Sequence, residues 1–220
     1  MPHSPRHPIL GNMLTILGAK VAVRLLGFVV LIYQTNYLAE RYGVYIFVVQ
    51  LAMALLALID LGWSVIVVRE INHAPEKAPQ FLANFLALET IVSAFFAFGF
   101  IAYVILAGES PEKIRLTVLA SIGVYFGGLA RAPLGVLIAT QRAGWASLAD
   151  LATNLVTSIA TLAVIYYNGP ISAFIWVNNV YYLILFIVFS LMARKTVGSI
   201  GWRIDRDLWR SFLKQGLPSS

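Results

Sequence analysis

The sequence predicts an all-α, polytopic membrane protein: a six-helix transmembrane bundle followed by the start of a seventh helix. Three observations carry this. Of the 220 residues, 60% are hydrophobic and only 12% are charged, against about 25% charged in soluble domains. Long uncharged runs alternate with short polar loops. Each run is long enough for the ~30 Å hydrocarbon core of a bilayer. A soluble helical protein would need polar helix faces, which these runs mostly lack.

The elements follow in order. Residues 1–8, with three prolines and two histidines, form a cytoplasmic tail and not a signal peptide. Helix 1 is expected over 11–38. Its rise of ~1.5 Å per residue gives roughly 42 Å, a bilayer with its headgroups. Glu40-Arg41-Tyr42-Gly43 makes a tight connection to helix 2, expected as one piece over 44–68 with Asp60 its only charge. A polar loop with Pro75 and Pro79 leads to helix 3 over 81–107, in which Glu89 is the only charge. After a second polar loop, helix 4 covers 116–140 and contains Arg131 and Pro133. Pro133 removes a backbone donor and predicts a kink. Helix 5 covers 145–167 and ends at the turn signal Asn168-Gly169-Pro170. Helix 6, over 171–193, is uncharged. The bundle as a domain is thus 9–193, followed by a basic connector, 194–207, and the opening of helix 7, 208–220.

Charge excludes some functions and sets the orientation. The net charge of +6 (16 basic minus 10 acidic) does not mark a nucleic-acid protein, because the cations sit in short loops and not on one basic face. With the N-terminus inside, ten Lys and Arg fall on the cytoplasmic side and three outside. That bias places both termini in the cytoplasm of a cell-membrane protein. The chain has no cysteine, and neither metal-ligand spacing nor a nucleophile motif occurs, so no cofactor, metal site or enzymatic activity is expected.

Six ionisable residues sit inside the spans. Lys20 and Arg24 are one helical turn apart on helix 1. Counted from the nearer loop at ~1.5 Å per residue, Lys20, Asp60, Glu89, Asp150 and Arg131 lie about 9–16 Å deep and Arg24 about 19 Å. Lipid-facing charges are costly, so these side chains are expected to converge on an interior. Two readings stay open: structural ion pairs that hold the bundle together, or a polar cavity for an anionic or polar substrate. Lys20 with Asp60 is the expected structural pair, and Lys20 is also a candidate substrate contact. Arg24 and Arg131 are the expected ligand contacts, because guanidinium forks onto phosphate oxygens. Asp60, Glu89 and Asp150 are candidates for proton coupling or for structural pairing.

Polar neutral residues add to this set. Helix 5 carries a stripe of Asp150, Asn154, Thr157, Ser158 and Thr161, and helix 6 adds Asn178 and Asn179. Asn154 and Asn178 are the candidate substrate contacts among them. Bridging between helices is the competing role. Gly123 and Gly127 form a G-x-x-x-G spacing, read as close helix packing.

The stretch 36–71, NYLAERYGVYIFVVQLAMALLALIDLGWSVIVVREI, resembles the polysaccharide and O-antigen flippases of the multidrug/oligosaccharidyl-lipid/polysaccharide exporter superfamily. The matching features are Tyr42-Gly43-x-Tyr45, Asp60-Leu61-Gly62 and Val68-Arg69-Glu70-Ile71. The segment 209–218 resembles the opening of that family's second half. The resemblance implies two pseudo-symmetric bundles around a central cavity that moves polyprenyl-diphosphate-linked oligosaccharide between leaflets by alternating access. It also implies that this chain is one half and that a second helical bundle is missing. Membrane lipids and the lipid-linked sugar are the expected partners. Two other readings compete: a non-transporting membrane scaffold, with every intramembrane charge paired, and a cation-coupled drug exporter.

Overall fold

The computed structural model describes residues 6–60, 63–198 and 209. The first five residues of the expected tail, most of the basic connector and, apart from residue 209, the expected opening of a seventh helix lie outside them. Eight α-helices occur among the described residues: α1 Arg6–Leu38, α2 Tyr42–Asp60, α3 Trp63–His73, α4 Ala78–Leu106, α5 Pro111–Leu129, α6 Arg131–Ala139, α7 Ala143–Tyr166 and α8 Ile171–Val197. By length and composition, five helical segments can cross a membrane: Ile16–His73, Pro75–Leu106, Pro111–Ala139, Ala143–Tyr166 and Ile171–Val197.

The first of these segments is 58 residues long, about 87 Å if it were straight. It is interrupted by a 3₁₀ turn at Ala39–Arg41, where Ala39 takes φ 45°. The chain doubles back there, because residues on both sides of the turn, Lys20 on α1 and Leu56 on α2, line one cavity. At the turn, Tyr37 donates to the carbonyl of Gly169 at 2.9 Å and Arg41 pairs with Glu112.

Several boundaries differ from the sequence expectation for local reasons. α1 begins at Arg6, five residues early; Pro8 falls in its first turn, where a missing N–H costs nothing. α5 begins at Pro111, within the stretch that its charges mark as loop. Ser110 caps it, its hydroxyl accepting from the Lys113 amide, with Pro111 in the first turn and Glu112 at the positive end of the dipole. The span expected over 116–140 is two helices, α5 and α6, that meet at Ala130. Gly127 and Gly128 weaken the helix there, and Pro133 has no N–H for the carbonyl of Leu129. Three helix ends close in one way. Gly108, Gln141 and Asn168 take φ of 68°, 58° and 53°. After each, the paired 6→1 and 5→2 amide bonds of a Schellman motif form, as in Glu109 to Val104 and Gly108 to Ile105.

The α5–α6 pair is the centre of the bundle. It is flanked by α2 and α3, by α4 and by α8, while α7 packs on α8 and α1 lies chiefly along α7. Close approach is achieved with glycine. A Cβ on Gly123 would lie 2.6 Å from Asn179 Oδ1, and one on Gly127 would lie 2.8 Å from Leu56 Cδ2. Gly128 lies tighter still, with a Cβ 2.0 Å from Ser93 Oγ. In lipid, water expulsion does not drive helix pairing, so van der Waals contact of this kind and interhelical hydrogen bonds carry the association. Phe85, Phe100 and Phe174 are fully enclosed, whereas Phe95, Phe98 and Leu106 face outward.

Candidate functional site

The break between α5 and α6 builds the site. Arg131 is the first residue of α6. Its Nη1 donates to Asp60 Oδ2, at the end of α2, at 3.1 Å. The next amide, that of Ala132, is freed by the break and donates to Glu89 Oε2 on α4 at 2.9 Å. Glu89 is only 5% exposed, so this bond satisfies a donor that would otherwise be orphaned in the bundle core, and it sets a carboxyl oxygen at the start of α6. Two helices, α2 and α4, therefore converge on the start of α6 and fix the direction in which Arg131 emerges.

Arg131 emerges into a cavity of about 580 Å³. Lys20 reaches the same cavity from α1, Asp150 from α7, and Tyr181 and Tyr182 from α8. Asp150 is held in place: Tyr181 donates to its Oδ1 at 2.7 Å, and Asn154 Nδ2 donates to the same oxygen at 3.0 Å. Met53, Leu56, Leu134 and Leu185 supply apolar wall. An apolar cleft with a few convergent polar groups has the character of a ligand site.

The expected pairing of Lys20 with Asp60 is corrected: the partner of Asp60 is Arg131. Depth alone suggested Lys20, but α1 lies along α7 and not against the end of α2. Arg131 is thus both an ion-pair member and a cavity residue. Among the described residues, no ion pair or side-chain hydrogen bond involves Lys20 or Arg24. Arg24 is exposed on α1, one turn beyond Lys20, and does not line the cavity.

The remaining candidates are distributed elsewhere. Glu89 sits behind α6, away from the cavity lining. Asn154 orients Asp150 and does not line the cavity. Asn178 donates to Tyr45 OH at 3.1 Å and borders a separate void of about 20 Å³, room for roughly one water. Asn179 donates to the carbonyl of Leu119 at 2.8 Å and bridges α8 to α5. Thr157 and Thr161 are buried and bond back to carbonyls one turn earlier. The α7 stripe is therefore mostly packing surface, with Asp150 its cavity member. Tyr181 and Tyr182 went unrecognised in the sequence as site residues. Their signal was an adjacent tyrosine pair one turn beyond Asn178.

Comparison with known proteins adds one decisive match: the polysaccharide biosynthesis protein family covers residues 9–219. The chain belongs to that family. Its apolar helices make this member of the family a multi-pass membrane protein. No curated protein and no solved structure matches the chain significantly.

Proposed function

We propose that this member of the family is one half of a flippase. Its cavity would receive the diphosphate and first sugars of a polyprenyl-linked oligosaccharide during cell-surface polysaccharide synthesis. In this reading Ile16–His73 crosses the membrane twice, giving six spans with the N-terminus in the cytoplasm of the cell membrane. The protein acts as a transporter and not as an enzyme. The observation that supports this most is a single cavity with two cations, Lys20 and Arg131, in a wall otherwise largely apolar. Lys20 would supply a compact positive charge, and Arg131 would present its guanidinium while held on its far side by Asp60. Asp150, fixed by Tyr181, would accept hydrogen bonds from sugar hydroxyls.

Arg24 fits a second bundle. An unpaired guanidinium near mid-membrane is costly against lipid, at least ~2.5–3.5 kcal/mol on insertion scales. In the proposed transporter the exposed face of α1 meets that bundle, and Arg24 lines the cavity they share.

The test is delivery of lipid-linked oligosaccharide across the membrane in cells carrying the protein, parent against Lys20→Ala and Arg24→Ala. Loss of delivery by about tenfold or more, at unchanged protein level, supports the reading; unchanged delivery in both variants overturns it. The scaffold reading draws on the Arg131–Asp60 pair, and it expects cells carrying either variant to export normally.

A further inference from the structure

A second cavity lies on the other side of α6. It is a groove of about 360 Å³ between α4, α6 and α8. Leu82 and Leu86 form one wall, Phe186 and Leu191 another, and Pro133 with Leu129 forms the floor. At one end stands Arg194, in the last turn of α8. Inside the groove the Ser190 hydroxyl is buried and has no hydrogen-bond partner among the described residues.

The combination is specific in its chemistry. α8 is 27 residues long, about 40 Å, so a residue three positions from its end stands at headgroup level. Arg194 is exposed, with Lys195 beside it, and no acidic residue pairs with either among the described residues. Below this cation the groove is apolar, apart from Thr90, whose hydroxyl is already bonded to the carbonyl of Leu86, and Ser190. An unsatisfied hydroxyl at membrane depth is unfavourable and is relieved by an acceptor. A diacyl lipid offers such an acceptor in its ester carbonyl, between an anionic phosphate and an acyl chain.

The geometry points to a binding site for one anionic phospholipid: phosphate on Arg194, ester carbonyl on Ser190 and acyl chain along Leu82, Leu86 and Pro133. Basic pockets between membrane helices favour anionic lipids in this way. The site is separate from the proposed substrate cavity, but the two share α6: Arg131 and Leu134 face one, Pro133 the other. The bound lipid would brace the α5–α6 break from behind.

The test needs only the membrane reading of the chain and not its transport. The purified, delipidated protein is titrated with phosphatidylglycerol or phosphatidylcholine and bound lipid is counted by native mass spectrometry. The parent should retain phosphatidylglycerol at least threefold more strongly than phosphatidylcholine. Arg194→Ala should abolish that preference, and Arg142→Ala, which removes a cation at the neighbouring α6–α7 turn and outside the groove, should keep it. Leu86→Trp, filling the groove, should reduce binding of both lipids. Equal retention of the two lipids by the parent overturns the proposal, and so does an equal loss in Arg194→Ala and Arg142→Ala. Arg194 is exposed, so its variant remains informative if Leu86→Trp fails to fold.

Discussion

Arg131 and Asp60 form the one ion pair between intramembrane residues among the described residues, Nη1 to Oδ2 at 3.1 Å. It joins the end of α2 to the start of α6, 71 positions apart in sequence. Both side chains keep about 30% of their surface accessible. Removing one partner should therefore cost less than the ~3–5 kcal/mol of a fully buried pair, on the order of 1–3 kcal/mol. Asp60→Ala and Arg131→Ala should each lower thermal stability in detergent, and the swapped pair Asp60→Arg with Arg131→Asp should recover most of the loss. A double variant no more stable than the singles would show that the pair does not couple.

Glu89 tests the helix break. Glu89→Gln keeps an oxygen that can accept from the Ala132 amide, so stability should change little. Glu89→Leu leaves that amide orphaned and should cost about 1–3 kcal/mol. The comparison is by thermal unfolding in one detergent. Equal behaviour of the two variants would remove the capping role.

Gly128 tests the packing of α4 on α5. A methyl group there would meet Ser93 Oγ at 2.0 Å. Gly128→Ala should destabilise by about 1–3 kcal/mol, the usual range for overpacking. Ser93→Ala in the same chain should recover part of it, because the contacts that remain, residue 93 Cβ at 3.0 Å and Ile59 Cγ2 at 3.3 Å, are milder. The measurement is the melting temperature of the three variants, and an additive result would count against the contact.

Tyr181 tests how Asp150 is aimed. Tyr181→Phe removes the 2.7 Å bond to Asp150, a loss of roughly 0.6 kcal/mol for a hydrogen bond between membrane helices. Stability should barely move. Transport by the proposed flippase should fall several-fold, and unchanged transport would make the contact structural only.

Much of this was legible in the sequence. Apolar runs and turn residues are local signals, so the long helical segments could be read directly. Eight helices occur among the described residues where six were expected, and the 44–68 and 116–140 runs each correspond to two helical elements. Pro133 marked the discontinuity, although only the structure shows that two helices meet at Ala130 and that Glu89 closes the gap. Charges misled in two places. Glu112, Lys113 and Arg115 read as loop yet stand in the first turns of α5, where Ser110 and Pro111 set the helix start. Lys20 and Asp60 matched in depth, but depth is one coordinate, and the pairing of helices around the bundle decides which charges meet. Tyr181 and Tyr182 were hidden for the same reason: on a span without charges, only the neighbours reveal which face lines a cavity.

The lodging of α1 against α7 bears on biogenesis. The two helices are separated by roughly 100 residues, which a ribosome adds at ~5–20 per second. For about 5–20 s the nascent α1, with Arg24 on it, has left the tunnel before its principal neighbour exists. Its early companions must be the insertion machinery, water or lipid headgroups, so a cell short of membrane insertase should lose this protein sooner than one whose first two helices pair at once.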